Sequence, residues 1–339
     1  MNTNDTKKIH LSSESLKKLS TNAGKYTTWI TFVVLLLILS VLTKGAALKW
    51  NSVRNLLIAE SVRSFAALGV GMIIITKGID LSIGYVVCLT ASVAASFAQN
   101  PTYNSAIYAG HSFPLIVPIL AAIATGALFG LLNGWLVAYG KLPPFIATLG
   151  TMSIAKGLQL IYTQAAVVGS LNQNFKNISQ GNLGPIPNLI IYVIIATALV
   201  WVFLRHTRQG MNFYALGGNS QAARVSGINV ERDLVCVYLY AGILYGCAGT
   251  LLASRLGLAN SLTANGMELD AIAAVTVGGV SQSGGVGTVS GMIIGVFTMG
   301  LINYGMSFLG IDSYFQQLVK GFIIIFAVYF DMKKYARRA

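Results

Sequence analysis

Long runs of apolar residues without charged side chains alternate with short polar segments along most of the chain. Six runs are long enough to cross the hydrocarbon core of a bilayer as helices, at residues 26–43, 81–100, 115–139, 188–204, 234–254 and 286–309. Four weaker candidates lie between or after them, at residues 62–76, 144–164, 268–280 and 313–330. The pattern predicts an all-α, polytopic membrane protein with about ten transmembrane helices.

The composition agrees with this prediction. Hydrophobic residues make up 55% of the 339 residues and charged residues only 10%, which is too few for the surface of a soluble domain. A long polar segment precedes the first run and no small-residue cleavage pattern closes it, so we expect a retained helix and not a signal peptide. Cys88, Cys236 and Cys247 lie inside apolar stretches without paired spacing, and we expect neither a metal nor a cofactor.

Basic residues concentrate in three clusters, at residues 7–25, 205–232 and 333–338, within a net charge of +13. Clusters beside apolar runs indicate membrane topology and not a nucleic-acid footprint. If all three are cytoplasmic, an even number of crossings must precede and follow the middle one, which six helices and then four satisfy. We therefore predict cytoplasmic termini, with a polar tail at 1–25, a transmembrane domain at 26–332 that includes a cytoplasmic loop at 205–233, and a basic C-terminus at 333–339.

The chain contains a weak internal repeat. Residues 130–133, Gly-Leu-Leu-Asn, recur 170 residues later as Gly-Leu-Ile-Asn at 300–303, and Phe145 recurs at the same spacing as Phe315. Membrane transporters are often built from internal repeats of this kind. We therefore expect two similar five-helix halves.

The polar segment at 205–233 contains signals for a short helix. The glycine pair at 217 and 218 predicts a turn. Asn219 or Ser220 can cap a helix that runs through Arg224. Gly227 can then end that helix in the left-handed conformation. Such a helix of small residues is either a solvated linker or a contact for a groove on another protein.

Three acidic residues lie at the starts of predicted spans, namely Asp80, Glu268 and Asp270. Ionisable groups at membrane depth are costly and tend to be functional, so they are candidate ion sites of a proton-driven or sodium-driven carrier. A carboxylate at a helix start can instead bond free backbone amides and favour the positive end of the helix dipole. The position next to helix starts favours this structural role.

A transport pathway for a polar solute needs neutral hydrogen-bonding groups and nearby aromatic faces. Residues of these types inside predicted spans are Asn133, Phe145, Thr148, Asn303 and Tyr304. We predict that they line a pathway. The alternative for each polar side chain is a hydrogen bond between helices of the bundle.

Short segments of the chain carry a family resemblance: residues 78–82 (GIDLS), 133–134 (NG), 144–146 (PFI), 148–152 (TLGTM), 268–281 (ELDAIAAVTVGGVS) and 284–288 (GGVGT). They resemble the ribose and galactose type of ABC transporter permease, and the resemblance covers residues 27–338. The loop at 217–227 is similar to the coupling helix by which members of that family contact the ATPase subunit. The resemblance therefore implies a coupling role for Gly217, Gly218, Asn219, Ala222, Ala223, Ser226 and Gly227.

The chain contains no Gly-x-x-x-x-Gly-Lys-Ser/Thr loop, so we expect a transport subunit that is not itself an ATPase or another enzyme.

The resemblance implies four partners: an ABC ATPase subunit, a periplasmic or tethered sugar-binding protein, a second permease copy and a monosaccharide. The tail at 302–337 is most similar to members that import galactose, glucose and methyl-galactoside, with ribose or another pentose as the alternative. The expected location is the bacterial inner membrane. A rival hypothesis is an ion-coupled secondary sugar carrier.

Overall fold

A computed structural model describes the backbone of residues 13–336 and the side chains of residues 28–333. The all-α class is confirmed, because helices dominate the described chain. The helices are α1 (Ser13–Leu42), α2 (Trp50–Ile75), α3 (Ile83–Phe97), α4 (Ile116–Ala138), α5 (Pro144–Thr163), α6 (Gln173–Gln180), α7 (Asn188–His206), α8 (Arg208–Gly218), α9 (Ser220–Val225), α10 (Val230–Leu256), α11 (Met267–Val277), α12 (Val289–Phe308) and α13 (Ser313–Ala336). A 3₁₀ turn (Ala46–Leu48) precedes α2, and the short strands β1 (Asn182–Leu183) and β2 (Ile186–Pro187) pair antiparallel before α7.

Each of the ten apolar segments contains one of these helices. Within the described residues, six helices are long and apolar enough to span a membrane: α2, α4, α7, α10, α12 and the Ser313–Lys333 part of α13. Thr28–Leu42 and Ile83–Phe97 are shorter apolar helices. The chain therefore has the helices of a polytopic membrane protein, whereas ten crossings and two equivalent halves stay predictions.

Two helices begin more than ten residues earlier than the sequence pattern predicted. α2 begins at Trp50, twelve residues before position 62, because its first turns carry polar and charged residues that an apolar-run criterion excludes. α1 begins at Ser13, inside the segment predicted as a polar tail at 1–25. Residues 1–12 of that tail and residues 337–339 of the basic C-terminus lie outside the described residues.

The core forms around α2 and α10. α10 packs on α4, α3 and α2, while α2 also packs on α12, α11 and α7. From Ser64 to Thr76 every residue of α2 and its C-terminal cap is buried, as expected for a helix that neighbours surround on all sides. α1 and α13 lie at the periphery, where α13 contacts α11 and α12.

The main helix pair, α4 and α10, approaches through glycines. A Cβ atom at Gly126 or Gly130 of α4 would overlap backbone atoms of α10, and one at Gly242 of α10 would overlap the Gly126 carbonyl oxygen. Lipid tails are as apolar as the helix surfaces, so the hydrophobic effect does not drive helices together in a bilayer. Helices there associate largely through close backbone contacts of this kind. These glycines therefore set the spacing of the central pair.

We expect Gly242→Leu to destabilise the bundle, because the added side chain has no space between α4 and α10. Overpacking of this kind costs about 1–3 kcal/mol. The thermal unfolding midpoint of the purified chain in detergent measures the effect. Gly321→Leu on α13 is the matched control, since the described residues leave open space at Gly321, and an equal loss of stability in both variants would contradict the packing assignment.

Candidate coupling surface and intramembrane polar clusters

Two consecutive capped helices, α8 and α9, follow α7. The Thr207 hydroxyl accepts a hydrogen bond from the Gly210 amide at 3.0 Å and starts α8. The Asn219 side chain accepts one from the Ala222 amide at 3.0 Å and starts α9. After α9, Gly227 adopts a φ of +85°, which favours glycine. The predicted short helix with an Asn219 cap and a glycine end is confirmed.

The predicted turn at Gly217 and Gly218 is wrong, because both residues belong to the last turn of α8. The reason for glycine is close packing: a Cβ atom at Gly217 would overlap the carbonyl oxygen of Ile75 at the end of α2. The Gly285 amide donates a hydrogen bond of 2.8 Å to the same oxygen. α8, α2 and the loop at 278–288 therefore meet at Gly217.

A second bond fastens α8 to the same loop. The Tyr214 hydroxyl donates to the Gly287 carbonyl oxygen at 3.1 Å, and burial raises the pKa of this phenol above its usual value. Asp331 of α13 holds the other side of the loop, since its carboxylate accepts from the Gln282 amide at 2.8 Å and from the Ser281 hydroxyl at 3.0 Å. The 278–288 loop thus connects α8 with α2 and α13.

The residues predicted to couple to an ATPase divide into two groups. Gly217 and Ala223 face the protein, and Ala223 packs in a small cluster with Leu216 and Val230. The exposed members are Gly218, Asn219, Ala222, Ser226 and Gly227. Next to them the Val225 side chain is 90% exposed, which the sequence reasoning did not single out. The outer face of α9 is therefore small and partly apolar.

Glu231 links this surface to the loop between α4 and α5. Its carboxylate accepts hydrogen bonds from Lys141 at 3.1 Å and from Arg224 of α9. These ion pairs are exposed, so each contributes little stability on its own. They connect α9 and the loop before α5 to the start of α10.

A chain of buried hydrogen bonds begins at Asp80. One Asp80 oxygen accepts from the Ser82 amide at 2.8 Å and from the Ser82 hydroxyl at 2.6 Å. Asn133 donates to the Ser82 hydroxyl at 3.0 Å and accepts from the Thr151 hydroxyl at 2.6 Å. All four side chains are buried, and the network joins α3, α4 and α5. The geometry suits the structural role predicted for Asp80, and for Asn133 it favours the interhelical alternative over the pathway.

The other predicted pathway residues are not brought together. Thr148 is buried and bonds the Pro144 carbonyl oxygen of its own helix at 2.8 Å. Phe145, on the same helix, is 54% exposed. Tyr304 packs on α12 against the cluster that contains Leu39 and Leu301. Asn303 is half-buried beside a different group of residues.

A cluster of charged side chains lies beside Asn303, between α2, α11 and α13. Glu60 and Arg63 pair at 2.6 Å, Arg63 lies 3.6 Å from Asp270, and Lys320 lies 3.0 Å from Asp270. Asp270 thus forms ion pairs, and the N-cap of α11 is Gly266, which has no side chain to cap the helix. The sequence analysis did not single out Glu60, because it lies before the apolar run at 62–76. The sequence signal that could have found it is an acid three residues before a base, since this spacing places Glu60 and Arg63 on one face of a helix.

Glu268 lies apart from this cluster. Its side chain is buried against Gly84 of α3, and its Oε2 atom has no hydrogen-bond partner among the described residues. Cys88, Cys236 and Cys247 are free thiols within or beside the core. Neither Glu268 nor a cysteine contributes to the Arg63 cluster.

Comparison with known proteins places these features in a family. The family model described as "Branched-chain amino acid transport system / permease component" matches residues 52–328. The galactose/methyl galactoside import permease protein MglC of Salmonella typhimurium is 40% identical over 94% of this chain and 98% of the relative, and that of Escherichia coli is 42% identical over 91% and 94%. The ribose import permease protein RbsC of Escherichia coli is 38% identical over 90% and 92%. No solved structure matches the chain.

Proposed function

The chain belongs to the family of branched-chain amino acid transport system permease components, and from this membership we propose that it is the membrane permease subunit of an ATP-driven monosaccharide importer. The similarity to galactose/methyl galactoside import permeases over nearly the whole chain carries the proposal. The cargo is galactose, glucose or methyl galactoside. The chain is a transport subunit and not an enzyme, and an ABC ATPase supplies the energy.

The proposed topology has ten crossings of a bacterial inner membrane, in two five-helix halves with both termini in the cytoplasm. Contacts between loops support it, because segments assigned to one side meet each other. On the outer side Gln99 pairs with Leu171, and Val168 pairs with Ala259. On the inner side the Lys141 loop meets Glu231, and the 278–288 loop meets α8 and the end of α13.

The ATPase docks on the exposed face of α9, with Gly218, Asn219, Ala222, Ser226 and Gly227 at the contact. Small residues there allow close approach of a partner, and the exposed Val225 side chain offers an apolar anchor. A displacement of α8 reaches α2 and the 278–288 loop through the Gly217 contact, because that contact has no free space. Gly217 and Ala223 support coupling from the inner side of α8 and α9.

A second copy of the chain packs against α5. The exposed face of α5 carries Gly150, Ser153 and Lys156 beside Phe145, and the Lys156 ammonium lies 5.1 Å from the centre of the Tyr85 ring. A lysine in a membrane span is costly in lipid and favours a protein-lined or water-lined side. We infer that the sugar path runs along this face between two copies. A periplasmic or tethered binding protein delivers sugar at outer segments that include 165–187.

The sugar is tested by competition in cells that have this chain, its ATPase and its binding protein as their only galactose importer. We expect unlabelled galactose, glucose and methyl galactoside to reduce uptake of radiolabelled galactose, whereas ribose and xylose leave it unchanged. A strain that lacks only this chain is the control. Stronger competition by ribose than by galactose would favour the pentose alternative, which the similarity to ribose import permeases keeps open.

A further inference from the structure

An apolar groove with a volume of about 430 Å³ lies between α2, α7 and α12. Nine of its twelve lining residues are apolar, the other three are Ser61, Thr197 and Ser290, and none of the twelve is charged. Ile194 and Trp201 of its lining are 62% and 44% exposed, so the groove is open at the surface. All three helices are long and apolar enough to span a membrane, so we expect the groove to lie at the depth of the lipid tails.

A second surface cavity, with a volume of about 260 Å³, adjoins the groove at the end of α7. Trp201 and Val289 line both. The remaining lining of the second cavity consists of Leu204, Arg205, Tyr214 and Thr288. Because the shared Trp201 is partly exposed, an elongated molecule at the surface can lie in both cavities. In the proposed topology the second cavity is at the cytoplasmic end.

Positive charge collects at this cytoplasmic end. Arg205 is exposed, and none of the salt bridges within the described residues involves it. α12 begins at the same cavity, where the Thr288 hydroxyl accepts a hydrogen bond of 3.1 Å from the Gly291 amide. The amides of Val289 and Ser290 belong to the first turn and have no intrahelical acceptor. A helix N-terminus beside an arginine favours an anionic group.

The two cavities together match one leaflet of a bilayer in length. Along α7 they extend from Ile190 to Arg205, which is about 22 Å at 1.5 Å per residue. Half the thickness of a bilayer with its headgroups is about 20–22 Å. The apolar surface lies toward Ile190 and the positive groups toward Arg205, with Trp201 near the level where tryptophan is enriched in membrane proteins. This order of apolar and charged surface is complementary to a lipid with an anionic headgroup.

We propose that one anionic phospholipid of the cytoplasmic leaflet binds here, with an acyl chain in the groove and its phosphate at Arg205 and the start of α12. Basic pockets between membrane helices on the cytoplasmic side are typical sites for such lipids. The second copy is placed on α5 and the ATPase on α9, so this face stays open to lipid. Tyr214, which lines the headgroup cavity, donates to Gly287, so the lipid lies against the contact between α8 and the 278–288 loop.

Lipid titration of the purified full-length chain in detergent tests the proposal, with native mass spectrometry to count bound lipids. We expect one phosphatidylglycerol per chain to bind more tightly than phosphatidylcholine, and inorganic phosphate alone not to bind, because it has no acyl chain. Arg205→Gln should weaken phosphatidylglycerol binding roughly five- to tenfold, the usual effect of one basic residue near an anionic lipid. Arg232→Gln is the control, since Arg232 is exposed on the same side but lines neither cavity.

Ala198→Trp tests the acyl-chain groove. Ala198 lines the groove and is exposed, so the added ring fills the groove without entering the core. We expect this variant to lose the tightly bound phosphatidylglycerol. Leu199→Trp is the matched control, because the neighbouring Leu199 is 65% exposed on the same helix but does not line the groove. It should bind the lipid like the unaltered chain.

Equal binding by Ala198→Trp and Leu199→Trp, or an equal loss in Arg205→Gln and Arg232→Gln, would overturn the proposal. Loss of a dimer in Ala198→Trp with unchanged lipid binding would also overturn it and assign the groove to a second copy of the chain. The unfolding midpoint of each variant without added lipid checks that it is folded, and if one of the two site variants does not fold, the other decides. The assay contains neither sugar nor ATPase, so its result is independent of the proposed function.

Discussion

Gly218→Arg is expected to abolish sugar uptake while the chain still folds and inserts. The described residues leave open space around Gly218, so an arginine there does not disturb the bundle. It does project into the surface where the ATPase is proposed to dock, and a bulky charge at a close contact of small residues excludes the partner. We expect copurification of the ATPase to fall to background and uptake with it.

Two variants separate docking from folding. Ala223→Glu places a charge at a residue that is only 4% exposed, so we expect loss of folded protein and not selective loss of docking. Ser105→Arg adds the same side chain as Gly218→Arg on the loop between α3 and α4, which is assigned to the opposite side of the membrane. It should retain the ATPase. Normal copurification of the ATPase with Gly218→Arg would refute the docking assignment.

Asp270→Asn is expected to lower the stability of the bundle strongly, because it leaves Arg63 and Lys320 without their shared carboxylate. Removal of one partner from a buried ion pair costs about 3–5 kcal/mol, and the partial exposure of these side chains reduces that toward about 1–3 kcal/mol. Lys320→Gln alone should also destabilise the chain. The thermal unfolding midpoint in detergent and the amount of inserted protein measure both effects.

The double variant Asp270→Asn with Lys320→Gln is the informative control. It removes one negative and one positive charge, so the remaining charges of Glu60 and Arg63 balance each other. We therefore expect its loss of stability to be smaller than the sum of the two single losses. Glu268→Gln removes a carboxylate from the same helix that has no ion pair among the described residues and should cost less than Asp270→Asn. Strict additivity in the double variant would show that Asp270 and Lys320 do not interact.

Most of the helices could be predicted because the signal is local. A long apolar run defines a membrane helix without information from the rest of the chain, and a helix was found in each predicted segment. The Asn219 cap and the glycine at position 227 were predicted for the same reason, since a cap depends on its own turn. The start of α2 was missed because its first turns carry polar and charged residues, which a search for apolar runs excludes.

The polar clusters could not be predicted because they depend on helix packing. Gly217 was taken for a turn residue, and only its approach to Ile75, far away in the sequence, explains the glycine. Asp270 lies in the first turn of α11, as predicted, but its ion pairs with Arg63 of α2 and Lys320 of α13 could not be predicted. Both bases lie inside weaker apolar segments, at 62–76 and 313–330, and nothing local in the sequence pairs them with Asp270. Only the pairing of Glu60 with Arg63 had a local signal.

In the proposed mechanism an ATPase supplies the energy for transport, and reconstitution in liposomes tests this directly. The purified chain is inserted alone, or together with its ATPase, and supplied with sugar-loaded binding protein, and uptake of radiolabelled galactose is followed with ATP or with a proton or sodium gradient. We predict uptake only when the ATPase and ATP are both present, and none driven by a gradient. Gradient-driven uptake by the chain alone, without ATPase or ATP, would contradict this account and identify an ion-coupled carrier.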